Sequence, residues 1–372
     1  MDMKNKHRLL GIDLARGIAV FAVIFIHSPF DHVPYNPGSM VFKNMFLFAV
    51  PFFLATAFYF YALKPSAVMT WEFFQSRFQR IMIPCLLWSL IYFCIQFMIL
   101  WRSHKTEKLT ALLADPVGII FLGGAYGHLY FLPLLFSGTA LTILGYYLHK
   151  SRVNISILAV LTAFSLALYK VLLDLDLLFR WDQPFAFRAL LDSWQLLEPW
   201  HTFFRLILVL LSWWVLCLPY LLGSMMIVKV VQNLDNLKTI QQSRIRWLVL
   251  FSSMVYLLIY MTFYRATSLD LGVIFTAYVL LVMGIFFSPY LKESKLIQSV
   301  SLCSFGIYLI HQPVLFYIVR RLIIAKLMPE LAAQVSIPSM VVSSSLCFLL
   351  SWLSVAILIR NKIIARYLFG LF

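Results

Sequence analysis

The sequence predicts an all-α protein, a polytopic transmembrane helical bundle of about ten spans with both termini cytoplasmic. Three observations predict it. Of 372 residues, 62% are apolar and only 12% carry charge, whereas an ordinary soluble domain carries roughly 25% charged residues. Ten spans of about 20 apolar residues would occupy roughly 200 positions and leave short loops, and no polar block is long enough to host a soluble domain. The net charge of +15 falls largely in the segments between apolar runs, where it sets topology, and is not read as a nucleic-acid surface. A water-soluble fold is excluded. The chain, 1–372, is expected to be a single transmembrane domain with no appended soluble domain.

The apolar runs place spans near 10–28, 44–63, 80–101, 117–148, 154–173, 206–228, 247–264, 269–288, 299–319 and 336–359. Lys4, Lys6 and Arg8 precede the first as they would in a signal peptide. Asp13 and Arg16 interrupt it, and no A-x-A-like cleavage site follows, so it is expected to remain as a span. The fourth is too long for one crossing and contains Gly118, Gly123, Gly124, Gly127 and Pro133, which predicts a broken or re-entrant piece shielded by neighbouring helices. With the N-terminus inside, the inner segments collect Lys64, Arg77, Arg80, Lys150, Arg152, Arg244, Arg246, Arg360 and Lys362 with few acids, as the positive-inside rule requires. The longest outer segment, Asp174 to Arg205, carries Asp174, Asp176, Asp182, Asp192 and Glu198 among Trp181, Trp194 and Trp200. It is long enough to cover a site, and interfacial anchoring by Trp accounts for most of these side chains. Cys85, Cys94, Cys217, Cys303 and Cys347 all sit in apolar runs with no C-x-x-C pair, so core packing is expected, with no disulfide framework and no metal site. Repeats, low-complexity tracts and flexible linkers are absent from the sequence.

Ionisable groups inside a span are costly and mark function. The first span holds Asp13, Arg16 and His27. Asp13 and Arg16 are three apart, close enough to pair. Arg16 and His27, eleven apart, share a helix face about 16 Å apart along the axis. Snorkelling of Asp13 and Arg16 with His27 at the far end explains the spacing as well. Arg77 and Arg80 can present forked donors to one anionic group or serve as a positive-inside anchor. His128, in Gly127-His128-Leu129-Tyr130-Phe131-Leu132-Pro133, is a cavity imidazole or a core histidine. His311, at the end of Ser304-Phe305-Gly306-Ile307-Tyr308-Leu309-Ile310-His311, reads as structural. The sequence has no G-x-x-x-x-G-K, H-E-x-x-H or G-x-S-x-G motif, which dismisses a P-loop nucleotidase, a zincin and an ordinary serine hydrolase.

Taken in order, these segments resemble the acyltransferase 3 family of integral membrane acyltransferases over nearly the whole chain. Arg16 and His27 match the family's Arg and His with ten residues between them, and Val50-Pro51-Phe52-Phe53-Leu54 its aromatic second span. Arg77 and Arg80 with Ile83-Pro84 match its R-x-x-R, His128 to Leu132 its H-L-W-F-L with Tyr for Trp, and Ser304 to His311 its late signature. The second span departs in having Ala55-Thr56-Ala57 where Ser-Gly is usual.

The resemblance implies transfer of an acyl group, usually acetyl, from cytoplasmic acyl-coenzyme A to a hydroxyl of a sugar or lipid-linked glycan. The enzyme would sit as a multi-pass protein in a bacterial inner membrane. Acetyl-CoA would be the donor substrate and no metal would be needed. Partners would be acyl-CoA, a carbohydrate acceptor and membrane lipids, with no nucleic acid. In this reading Arg77, Arg80 and Arg16 hold the coenzyme phosphates, and His27 is the general base. Asp13 orients Arg16, His128 steadies the oxyanion or acceptor, and His311 supports the site. The rival reading is a secondary transporter of an anionic or sugar-like solute, for which intramembrane charge and a broken helix are equally expected.

Overall fold

A computed structural model describes residues 8–29, 33–66, 70–104, 107, 110, 113–175, 186–235, 239–263 and 269–371. Lys4, Lys6, Asp176, Trp181 and Asp182 lie outside the described residues. Among the described residues the fold is all helical, with no strand beyond an isolated bridge between Tyr35 and Val335. Ten stretches are long and apolar enough to cross a membrane. They are α1 (Leu10–His27), α2 (Gly38–Ala62), α3 (Trp71–Arg102), α4 (Gly127–Lys150), α5 (Ile155–Asp174), α6 (Trp200–Leu234), α7 (Thr239–Thr262), α8 (Leu271–Tyr290), α9 (Lys295–Leu327) and α10 (Ile337–Leu358). An amphipathic helix, α11 (Lys362–Phe369), follows.

Helix starts are written locally. Asn154 begins α5 by accepting from the Ile157 amide at 2.8 Å. Ser336 and Ser339 exchange hydrogen bonds as a capping box at the start of α10, satisfying amides that have no partner within the helix. The expected break in the fourth segment is present. A short helix, Pro116–Phe121, capped by Asp115, ends before Gly127, where α4 begins. One expectation fails: Cys94 is exposed on α3, whereas Cys85, Cys217, Cys303 and Cys347 are buried. An apolar run does not tell which face of its helix is covered.

The chain divides into two compact units, residues 1–56 with 230–360, and residues 57–229 with 361–372. In the first, α1 packs against α8, α9 and α10. Gly11 of α1 and Gly284 of α8 meet backbone to backbone, and a Cβ at Gly11 would overlap the Gly284 carbonyl oxygen. The Gly11 amide also donates to Ser288 Oγ at 3.0 Å. Small residues allow such an approach, and dispersion across the contact holds it. Toward the other end of α1, Phe25, Val335 and Met340 form a buried cluster flanked by Phe21, Val33, Phe42 and Phe46. In the second unit, α4 and α6 close over Gly138 and Cys217, with the Trp214 indole donating to the Ser137 carbonyl at 3.2 Å.

Two spans change register. Phe78–Met82 in α3 and Val314–Ile324 in α9 wind in the wider i to i+5 pattern. Each lies beside a proline, Pro84 or Pro313. Proline offers no amide to the carbonyl four residues back, and a local widening is one way a helix accommodates the loss.

Candidate active site

In the first unit, α1 carries three of the residues singled out from sequence. Asp13 is buried and accepts from Ser301 Oγ of α9 at 2.5 Å. Its other oxygen is bonded by Arg8, which precedes the helix. The carboxylate therefore ties the beginning of α1 to α9. Arg16 is half-buried one turn on.

His27 is the last residue of α1 and half-buried. Its ring lies 5.4 Å from that of His311, centroid to centroid, at an interplanar angle of 41°. His311 is fully buried in α9. Its Nδ1 lies 2.7 Å from the Tyr308 carbonyl oxygen, which only accepts, so in the neutral ring Nδ1 carries the proton and Nε2 keeps the lone pair. The backbone of His311 is held in turn by the Cys347 thiol of α10, at 3.3 Å from its carbonyl. Local spacing could not show that these two imidazoles meet, since 284 positions separate them, the difference between their residue numbers.

Arg320 was not singled out from sequence. It is buried in the widened part of α9 and donates to the His27 carbonyl at 2.8 Å and to the Pro29 carbonyl. Its guanidinium lies over the Phe316 ring, 4.3 Å from the centroid. An arginine placed there satisfies carbonyls that the end of a helix leaves over and meets the negative end of its dipole. Lys43 of α2 and Arg320 both lie near enough to act electrostatically on the His27 ring. The available signal was a charge four residues after an aromatic within an apolar run, which is too common to select it.

In the second unit, Arg77 lies over the rings of Tyr61 and Phe73, at 5.1 and 5.2 Å from their centroids. The two rings hold the cation by cation–π attraction. Arg80 is exposed, on the widened stretch of α3. His128 is buried against Tyr92 and Tyr126, with centroids 5.4 and 5.6 Å away. The segment expected to be a loop from Asp174 to Arg205 gives its last part to α6, and its described carboxylates meet groups of the chain. Asp174 is bonded by Lys170 at 2.5 Å, Asp192 lies 3.1 Å from His201, and Glu198 accepts from Thr202 at 3.0 Å. Arg205, buried, donates to Asp115 at 2.6 Å, and Arg188 reaches the same carboxylate at 3.0 Å. This pairing anchors the broken segment.

Residues 9–357 match the model of acyltransferase 3, described as an acyltransferase domain. The chain belongs to the acyltransferase 3 family. It is therefore a membrane acyltransferase, transferring groups other than aminoacyl groups, and its ten apolar helices fit a multi-pass integral protein. Comparison with curated proteins and with solved structures gave no match. Among the described residues of this acyltransferase, no group of three or more His, Cys, Asp or Glu is placed to hold a metal ion.

Proposed function

We propose that this acyltransferase moves an acyl group, acetyl in the simplest case, from cytoplasmic acyl-coenzyme A to a hydroxyl of a sugar or cell-envelope glycan. The whole chain is read as one transmembrane domain in a bacterial inner membrane, with both ends in the cytoplasm. The observation that carries the reading is the half-buried His27 ring beside His311, on a helix end clamped by Arg320. Membership of the family supplies the reaction class.

His27 is the general base. The acceptor oxygen attacks the thioester carbonyl carbon while the imidazole takes the hydroxyl proton. The C–S bond of the tetrahedral intermediate then breaks, and the departing thiolate takes the proton back from the imidazolium. An ester and free coenzyme A result. His311 packs against the His27 ring and limits its orientation, the part an orienting group plays beside a base. Lys43 and Arg320 supply positive charge where the carbonyl oxygen becomes negative. Arg77 and Arg80 hold the phosphates of the coenzyme, a polyanion suited to guanidinium forks. Asp13 fixes the beginning of the helix that carries Arg16, and His128 takes part on the acceptor side.

The test is mass spectrometry of envelope glycans and small metabolites from cells with the wild-type chain, with the His27→Ala variant and with neither. An added acyl mass seen with the wild type alone is the expected result. Persistence of the added mass in His27→Ala, with the protein inserted at normal amounts, would remove His27 from the mechanism. No added mass on any acceptor would leave the substrate assignment without support.

A further inference from the structure

Helix α11 and Gly370 lie beyond residue 357, where the family match ends, and none of the motifs accounts for them. Within the second unit α11 packs on the beginning of α3, the part that carries Arg80. Three contacts define the seat. The Trp88 indole of α3 donates to the Leu368 carbonyl at 3.0 Å. The buried Phe369 lies against the Trp88 ring, centroids 6.4 Å apart. Gly370, in the left-handed region at φ 60°, rests on the backbone of Arg80. A Cβ there would overlap the Arg80 carbonyl oxygen and come within 3.0 Å of its carbon.

That carbonyl is a particular one. In an α-helix it would bond to the amide of residue 84, and residue 84 is proline, which has none. The helix widens there, over Phe78–Met82, and the place where regular winding is lost is where Gly370 sits. Glycine meets both demands of the position, the positive φ and the close approach of backbone to backbone. Arg80 itself projects exposed from this braced turn, with Lys362 and Arg366 exposed on α11.

We propose that α11 is the positioning element of the acyl-donor arginines and that Gly370 is a positioning residue that fixes the backbone of Arg80 for a polyanionic nucleotide thioester. This rests on the assignment of Arg77 and Arg80 to the donor phosphates. The residue acts through Arg80 and does not touch the reacting atoms, so its loss changes the donor requirement and not the chemical step.

The experiment measures transfer from acetyl-coenzyme A by the full-length protein in membranes, for wild type, Gly370→Ala, Arg80→Gln and the double variant. Gly370→Ala is expected to raise the KM for acetyl-coenzyme A about fivefold with kcat at saturating donor within about twofold. The double variant is expected to be no worse than Arg80→Gln, because residues that act as one unit are not additive. Independent, multiplying effects, or a fall in kcat at unchanged KM, would overturn the inference. An unchanged KM in Arg80→Gln would sink the donor assignment itself, and this inference with it. A raised KM in Arg80→Gln beside a silent Gly370→Ala would sink this inference alone. Should Gly370→Ala not accumulate, Trp88→Phe removes the bond to Leu368 without adding bulk. It is expected to raise the KM about twofold, and a folded Trp88→Phe protein with the wild-type KM would overturn the proposal.

Discussion

His27, His128 and His311 sit in apolar surroundings for different reasons. His128 is enclosed by Tyr92 and Tyr126, His311 is committed through Nδ1 to a carbonyl, and His27 stays half-buried at a helix end. Arg320 holds that end. Replacing it with leucine leaves two carbonyls without their donor, at a cost of about 1–3 kcal/mol for each buried acceptor left unsatisfied. Arg320→Leu is expected to lower kcat at least tenfold and to lower the thermal midpoint, with the donor KM unchanged. Arg320→Lys, which keeps a cation, should recover part of kcat. Wild-type turnover with Arg320→Leu would show the clamp to be dispensable. A second prediction concerns pH. A general base works only when neutral. Turnover at saturating substrates is therefore expected to fall as pH drops through the titration of His27, and a flat acid limb would argue against it as base. The spacing of Arg16 and His27 was legible because an α-helix fixes which residues share a face. The partners Ser301, His311 and Arg320 were not, since each lies more than 280 positions from the residue it serves. Asp13 shows both sides: its nearness to Arg16 was readable from spacing, whereas its bond to Ser301 was not.

At the scale of elements, hydropathy located all ten spans, because the length of an apolar run is a local property. What it did not locate was winding. Val314–Ile324 and Phe78–Met82 leave the α-helical register, and the prolines beside them signal a disturbance without saying which way the helix resolves it. The spans also extend past their apolar runs. The third begins at Trp71 and the ninth ends at Leu327, each carrying arginines that hydropathy alone assigns to the flanks. The break before α4 was readable from its glycines. Its brace of Asp115 with Arg205 and Arg188 was not, because pairing across a fold leaves no local pattern. The contact of α1 with α8 gives the sharpest prediction here. Gly11→Val places its branch on the Gly284 carbonyl, and overpacking of this kind costs at least about 1–3 kcal/mol. The variant is expected to yield little folded protein after detergent extraction, while Gly38→Val, where an added Cβ meets only Asn36 Oδ1 at an ordinary 4.0 Å, should extract normally. Equal yields would mean that α1 and α8 tolerate separation.

For the whole molecule, each compact unit is assembled from stretches distant in sequence. A reading along the chain therefore found the helices but not the groups they form. Orientation rests on charge: basic residues concentrate in alternate connections, and reporter fusions at the two ends are expected to score both as cytoplasmic. Scoring both ends on the far side of the membrane would reverse the assignment of donor side and acceptor side. Within the first unit, α1 is pinned twice, by interlocking glycines near its beginning and by a guanidinium at its close. Such a helix behaves as a fixed post. In the proposed reaction, reactants would be brought to its imidazole and turnover would proceed without a stroke of that helix. Deuterium uptake along α1 should then stay slow and unaltered when the thioester is supplied.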